Sequence, residues 1–168
     1  MVYQPARWVV MGVAGCGKSS LAAAWAAHSG WACLDGDDWH SPAARLRMAA
    51  GLALDERHRR PWLRRLVHAV QASPGPCVAA ASLLRRAHRE QLREGLPGVR
   101  FVHLQLPMAE AQARCAARAG HFFAPALVAS QYATLQPTEG EPDVLALDAR
   151  LPLPQLLQCL MDEPPAQR

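Results

Sequence analysis

The sequence predicts a three-layer α/β fold, in which a parallel five-stranded sheet carries helices on both faces. Short apolar runs alternate with helical patterns along the chain, a glycine-rich turn separates the first strand from the first helix, and no low-complexity linker divides the 168 residues. This alternation indicates parallel strands joined by helical crossovers. We therefore expect one domain over residues 1–168, with ligands at the carboxyl ends of the strands.

The apolar pattern and the turn residues place each element in order. Strands are predicted at residues 7–11, 31–34, 77–81, 99–106 and 144–147. Helices are predicted at residues 19–27, 42–50, 61–72, 85–93, 108–119, 125–134 and 153–161. In the third of these helices the proline is expected in the first turn, where its missing N–H costs nothing.

The turn after the first strand fits the phosphate-binding pattern G-x-x-x-x-G-K-[ST]. Its residues are Gly12, Val13, Ala14, Gly15, Cys16, Gly17, Lys18 and Ser19, followed by Ser20. Lys18 is the single lysine of the chain, whereas the other 17 of the 18 Lys and Arg residues are arginine. Backbone N–H groups of such a loop bind phosphates, the lysine reaches the β- and γ-phosphates, and the serine ligates Mg²⁺. The pattern predicts a P-loop NTPase fold that binds ATP and Mg²⁺, the alternative being a chance glycine-rich turn.

The amino-acid composition argues against membrane proteins, disulfide-rich secreted proteins and nucleic-acid-binding proteins. No stretch approaches the roughly 20 apolar residues of a membrane span. Five scattered cysteines without C-x-x-C spacing indicate reduced thiols in a cytoplasmic protein. The formal net charge is +4, but the arginines are spread along the chain and no nucleic-acid-binding motif is present. We expect small anionic ligands, with no nucleic acid and no membrane as partner.

Two carboxylates follow the second predicted strand. In an extended chain Asp35 and Asp37 point to the same side, at the sheet edge where the phosphates arrive. One carboxylate can then orient Mg²⁺, for which we favour Asp35, and Asp37 can accept the proton of an attacking hydroxyl. The alternative is an ordinary acidic turn.

Several blocks together resemble the P-loop gluconokinases, which are relatives of shikimate kinase and the nucleoside monophosphate kinases. In order along the chain, the blocks read GVAGCGKS, DGDDWH, RMAAGLALDERHRRPWL, SLLRRAHREQLREG and RCAARAGHFFAPALVASQYATLQP. They run from about Met11 to Asp148 and are far more specific than the phosphate loop alone. The resemblance implies ATP-dependent phosphorylation of D-gluconate at its terminal hydroxyl, which gives 6-phosphogluconate.

The same resemblance supplies candidate site residues. Lys18, Asp37 and Arg118 are the expected catalytic residues. For the acceptor, the candidates are Asp35, Asp37, His40, Arg59, Ser82, Arg86, Arg89 and His121. The arginines are candidates for the gluconate carboxylate because a guanidinium binds a carboxylate bidentately. Trp62 is expected to anchor the core or to close the pocket wall.

A small lid is expected at about residues 114–137. Arg114 and Arg118 are four residues apart on one predicted helix and share a face, so Arg114 is expected at ATP and Arg118 at the transferring phosphoryl group. A solvent-facing arginine pair is the alternative. Gln131 and residues 134–137 are expected on the adenine side.

The chain departs from the family pattern mainly around the acceptor. The changed positions are Ala44, Ala53, Glu56, His58, Arg85 and His88. They keep two alternatives open, a kinase for another sugar acid or polyol and a catalytically silent ATP-binding regulator. Cys16 replaces a usual serine and is expected either to be a reactive thiol or simply to fit. The family also makes a homodimer a possibility.

Overall fold

A computed structural model of the chain describes residues 6–118 and 125–162. Within that part, five parallel strands form one sheet in the order β2-β3-β1-β4-β5. The strands are β1 (Arg7–Met11), β2 (Ala32–Asp35), β3 (Cys77–Ala80), β4 (Arg100–Gln105) and β5 (Val144–Asp148). The predicted parallel five-stranded sheet is confirmed, and the order places β1 with its phosphate loop at the centre.

The helices connect these strands and cover both faces of the sheet. They are α1 (Lys18–Ser29), α2 (Pro42–Ala49), α3 (Glu56–Ala72), α4 (Arg86–Gly95), α5 (Met108–Ala117), α6 (Pro125–Thr134) and α7 (Leu153–Met161). Apart from the start of α3, their bounds lie close to the predicted ones. None of the described helices is both long enough and apolar enough to cross a bilayer.

The start of α3 was predicted wrongly. The helix begins at Glu56 instead of Pro61, because the Asp55 side chain caps it by accepting from the backbone N–H groups of Arg57 (3.0 Å) and His58 (3.3 Å). Pro61 therefore lies one turn inside the helix. The extra turn carries Glu56 and Arg59 towards the carboxyl edge of the sheet, which matters for the site.

Two apolar cores lie on opposite faces of the sheet. Successive side chains of a strand alternate between faces, so Trp8 and Val10 pack with α1 and α7, whereas Val9 and Met11 pack with α3 and α4. All four are buried. This double burial explains the nearly continuous apolar run of β1.

The expected lid lies only partly within the described residues. Its helix α6 is placed, with Leu127 and Val128 buried, but residues 119–124, which include His121, lie outside the described part. The division of the chain into one kinase domain with a lid at about residues 114–137 stays a prediction.

Candidate active site

The phosphate loop joins β1 to α1 with its lysine already positioned. A Cβ at Gly12 (φ 142°) would lie 2.7 Å from the Leu104 carbonyl oxygen, so only glycine fits there. Gly15 and Gly17 also have positive φ, which lets the loop turn its backbone inward. Lys18 Nζ donates to the Val13 carbonyl at 3.0 Å. The ammonium is therefore held at the loop by the protein itself.

A hydrogen bond connects the phosphate loop to the end of β2. Ser19 Oγ donates to Asp35 Oδ2 at 2.9 Å, although β3 separates β2 from β1 in the sheet. Such a hydroxyl–carboxylate pair offers the hard oxygen ligands that Mg²⁺ prefers. No cluster of three or more metal-binding side chains occurs within the described ranges. The pair fits an ion that takes few protein ligands and completes its shell with water and phosphate oxygens.

Asp37 lies in the same region as Asp35, but the backbone that carries it is not extended as expected. The residues after β2 do not continue extended; Gly36–Trp39 form a short 3-10 helix, capped by Asp35 Oδ1, which accepts from the Asp37 backbone N–H at 3.0 Å. Asp35 therefore binds Ser19 with one oxygen and caps the turn with the other. The Asp37 side chain is 82% exposed and lines the cleft beside the phosphate loop.

His40 presents a buried ring nitrogen without a protein partner. Its side chain is 6% exposed and its ring stacks on Trp62, with centroids 4.6 Å apart. Nδ1 is buried and has no hydrogen-bond partner within the described residues, while Nε2 lies 3.8 Å from Asp37 Oδ1. Burial lowers the pKa of His40 despite the opposing charge of Asp37, so the ring is neutral at neutral pH. A ligand hydroxyl is the natural partner for such a nitrogen.

Trp62 fills both roles considered for it. It is 4% exposed and packs in the core, yet it lines the cleft through its stack with His40. Its indole N–H donates to the Gly36 carbonyl at 2.7 Å, which fixes the 3-10 helix that carries Asp37. Trp62 therefore positions two candidate residues at once.

One cleft of about 860 Å³ collects most of the predicted site residues. Those that line it are Ala14, Gly15, Gly17, Lys18, Ser19, Ser20, Asp35, Asp37, His40, Arg59, Ser82, Arg114 and Arg118. Gly12, Val13 and Cys16 are buried behind the loop. Cys16 is 2% exposed in the apolar core, which accords with a residue that simply fits.

The three candidate arginines for a substrate carboxylate lie in different surroundings. Arg59 lines the cleft, with Nη1 3.5 Å from Glu56 Oε1. Arg86 lies outside the cleft lining, on the exposed side of α4, where Nε contacts Glu90 at 3.4 Å. Of the three, only Arg59 is placed where a ligand in the cleft can reach it.

Arg89 has a structural role in place of the expected one. Its side chain is fully buried and pairs with Glu141, with Nε 3.0 Å from Oε2. The guanidinium also donates to the carbonyls of Leu83 (3.0 Å) and Pro137 (3.1 Å). Because the charge is neutralised and shielded from the cleft, Arg89 is not a substrate ligand in this conformation.

The two arginines predicted for a lid, Arg114 and Arg118, both line the cleft. Arg114 Nη2 donates to the Ala149 carbonyl at 3.0 Å, and Nη1 lies 3.5 Å from the Gly15 carbonyl. Arg118 follows the last residue of α5 and lines the same cleft. Both residues are exposed to solvent as well as lining the cleft, and they do not share a helical face as expected, because α5 ends at Ala117 and the Arg118 backbone is extended.

Two of the positions that depart from the family pattern contact each other. His88 Nε2 lies 3.1 Å from Glu56 Oε1, and Arg59 and Arg85 approach the same oxygen at 3.5 and 3.8 Å. Partial burial opposes ionisation of Glu56, but the hydrogen bond from His88 and the nearby arginine charges lower its pKa. The Glu56 carboxylate thus contacts Arg59 where that side chain lines the cleft, a connection that the sequence positions taken one at a time do not indicate.

Gln131 was expected on the adenine side but lies at the phosphate loop. Its Oε1 accepts from the Ala14 backbone N–H at 2.6 Å. The contact joins residues 117 positions apart, so no local pattern could have indicated it.

Comparison with known proteins gives a consistent result. The family described as an AAA domain matches residues 8–137. A thermoresistant gluconokinase of Escherichia coli (strain K12) is 37% identical over 150 residues, which cover 87% of this chain and 86% of that protein. A gluconokinase of Gluconobacter oxydans (strain 621H) is 40% identical over 149 residues, with 84% and 82% covered. The crystal structure of a gluconokinase from Sinorhizobium meliloti 1021 superimposes with a TM-score of 0.84 at 36% identity, covering 92% of this chain and 88% of that one.

Proposed function

The chain belongs to the gluconokinase family, and we infer that it is itself a gluconokinase, which transfers the γ-phosphoryl group of ATP to D-gluconate. The observation that carries this inference is the hydrogen bond from Ser19 to Asp35. It brings the phosphate loop and the polar residues after β2 to one cleft, where a phosphoryl donor and an acceptor can meet.

The donor half consists of the phosphate loop and the lid arginines. Backbone N–H groups of the loop bind the phosphates, and Lys18 bridges the β- and γ-phosphates. Ser19 and Asp35 are the residues that would hold Mg²⁺. When bound, the ion neutralises charge that develops on the phosphate oxygens.

The acceptor half offers partners for each part of a sugar acid. Arg59 is placed for the carboxylate, because its guanidinium lines the cleft and is oriented by Glu56. His40 Nδ1 can accept from a hydroxyl, and Ser82 lines the same cleft. Arg59 and these neutral polar groups suit a polyhydroxy monocarboxylate, and Arg45 adds a further cation to the cleft lining.

The residues can then carry out phosphoryl transfer in one step. The terminal hydroxyl oxygen of gluconate forms a bond to the γ-phosphorus while the bond from that phosphorus to the β–γ bridging oxygen breaks, which leaves ADP. Asp37 accepts the hydroxyl proton, and Lys18 and Arg118 stabilise the negative charge on the transferring group. Because Asp37 is 82% exposed, its proton can pass to solvent afterwards.

An acceptor panel tests the proposal. ADP release is measured with MgATP and D-gluconate, other aldonates, polyols or shikimate. We expect turnover with gluconate well above the others. Preference for another acid would reassign the acceptor, and bound ATP without turnover on any acceptor would indicate a regulatory protein.

A homodimer and a cytoplasmic location stay predictions. The five cysteines all lie in the described part of the chain and form no disulfide there, which suits a reducing compartment. Sedimentation of the purified protein measures the oligomeric state directly.

A further inference from the structure

Gln131 is held against the phosphate loop by a contact whose direction is unambiguous. The atom 2.6 Å from the Ala14 backbone nitrogen must be the amide oxygen, because an N–H donor requires an acceptor. The amide orientation of Gln131 is therefore fixed, and its Nε2 carries the two N–H groups on the other side. Within the described residues no protein acceptor meets Nε2.

Gln131 lines the cleft in which the proposed phosphoryl transfer takes place. Lys18, Ser19 and Arg118 line it as well. Ala14, to which it is bonded, lies within the phosphate loop, two residues after Gly12. A neutral pair of donors thus lines the same cleft as the two cations assigned to the γ-phosphoryl group.

Contacts from two residues just C-terminal to Gln131 anchor the helix that carries it. The hydroxyl of the neighbouring Tyr132 donates to the Leu106 carbonyl. Beyond the end of α6, the Gln136 backbone N–H donates to the Leu84 carbonyl at 2.7 Å, and Gln136 Oε1 accepts from the Arg86 N–H at 2.6 Å. A side chain on such a support is held in a defined position, as a catalytic contact requires.

We propose that Gln131 is a further catalytic residue, whose Nε2 donates hydrogen bonds to an oxygen of the transferring phosphoryl group while its Oε1 holds the loop through Ala14. The donors meet charge that grows in the transition state, so they stabilise it more than the ground state. The assignment rests on the proposed kinase function. The competing explanation is structural, with Gln131 serving only to tie α6 to the loop.

Gln131→Glu separates the two explanations. Glutamate keeps an oxygen for the Ala14 N–H but replaces the NH₂ donors with a second oxygen that repels phosphate. We expect kcat with gluconate to fall about 100-fold or more, while the midpoint of thermal unfolding stays near that of the unmodified enzyme. Gln155→Glu is the control for the added charge, since Gln155 is exposed on α7 outside the cleft, and its kcat should be unchanged.

Three measurements decide the outcome. Unfolding midpoints report the Ala14 contact, calorimetric titration with a non-hydrolysable ATP analogue reports ground-state binding, and kcat reports the transition state. An unchanged kcat in Gln131→Glu, with or without weaker analogue binding, overturns the proposal while leaving the kinase function intact. If the unmodified enzyme does not phosphorylate gluconate, the proposed function fails and this assignment fails with it.

Discussion

Individual side chains in this cleft are oriented by protein contacts before a ligand binds. Lys18 is held by the Val13 carbonyl, and Asp35 is held by Ser19 on one oxygen and the Asp37 N–H on the other. Arg59 is held in the same way by Glu56. Groups fixed in this way need little reorganisation during phosphoryl transfer, and this lowers the barrier.

Lys18→Ala is expected to abolish measurable turnover without unfolding the protein. The side chain is partly exposed at the loop and takes no part in the apolar core, whereas losing one preorganised charge-stabilising donor costs about 100- to 1,000-fold in rate. ADP release and far-UV circular dichroism measure the two effects. Retained activity would refute the role given to the phosphate loop.

Arg59→Ala is expected to raise KM for gluconate by about 10- to 100-fold, the usual cost of losing a charge-assisted hydrogen bond, and to leave KM for ATP unchanged. Arg59→Lys should recover only part of the affinity, because an ammonium cannot bind a carboxylate bidentately. Arg86→Ala, which lies outside the cleft, is the control. Equal KM values for Arg59→Ala and the unmodified enzyme would place the carboxylate elsewhere.

At the scale of elements, a strained turn after β3 connects three parts of the fold. Leu83 is buried with φ of 46°, a conformation that bulky residues rarely adopt. The consecutive carbonyls of Ser82, Leu83 and Leu84 accept from Gly12 N (3.3 Å), Arg89 Nη1 (3.0 Å) and Gln136 N (2.7 Å). The phosphate loop, α4 and the segment after α6 therefore meet at the turn that carries Ser82.

Arg89→Met is expected to lower the free energy of unfolding by about 3–5 kcal/mol, the cost of removing one partner from a buried ion pair. Without the Arg89 guanidinium, Glu141 keeps an ion pair only with Arg93, and the Leu83 carbonyl loses its hydrogen-bond donor. Urea denaturation measures the change, with Arg86→Met as the exposed control on the same helix. Unchanged stability combined with a raised KM for gluconate would restore Arg89 as a substrate ligand.

Local patterns predicted most elements, and non-local contacts explain the errors. The phosphate loop could be recognised because its glycines and Lys18 act within one turn of the chain. Arg89 was misassigned because its partner Glu141 lies 52 residues away, and nothing near Arg89 in sequence indicates that it is buried. The position of Gln131 was predicted wrongly for the same reason. The 3-10 helix after β2 was not predicted, because it depends on the cap from Asp35 and on a hydrogen bond from Trp62, 26 residues beyond Gly36.

At the scale of the whole molecule, the two-faced sheet buries one histidine that affects stability. His103 lies on β4, is 4% exposed, and its Nδ1 is 2.9 Å from Thr138 Oγ1. Burial, together with the charge of Arg89, lowers the pKa of His103 from 6.5 to about 4. The folded protein thus keeps this ring neutral under conditions in which the unfolded chain protonates it.

Because of this histidine, the free energy of unfolding should decrease as the pH is lowered from 6.5 to 4. In that window the unfolded chain binds a proton that the folded protein does not, and over the whole window the loss amounts to roughly 3 kcal/mol. In His103→Gln, the decrease in unfolding free energy between pH 7 and pH 4 should be smaller by that amount. Urea denaturation across this pH range measures it. The exposed His28→Gln is the control, and identical pH dependence in both variants would show that His103 does not contribute.

The most direct test of the central claim is to identify the product made from MgATP and D-gluconate. We predict 6-phosphogluconate in equal amount to ADP, with the phosphorus coupled to the terminal carbon in the nuclear magnetic resonance spectrum, and no product from Lys18→Ala. ADP without a phosphorylated gluconate, or phosphate attached at another position, would contradict the arrangement of donor and acceptor described for this cleft.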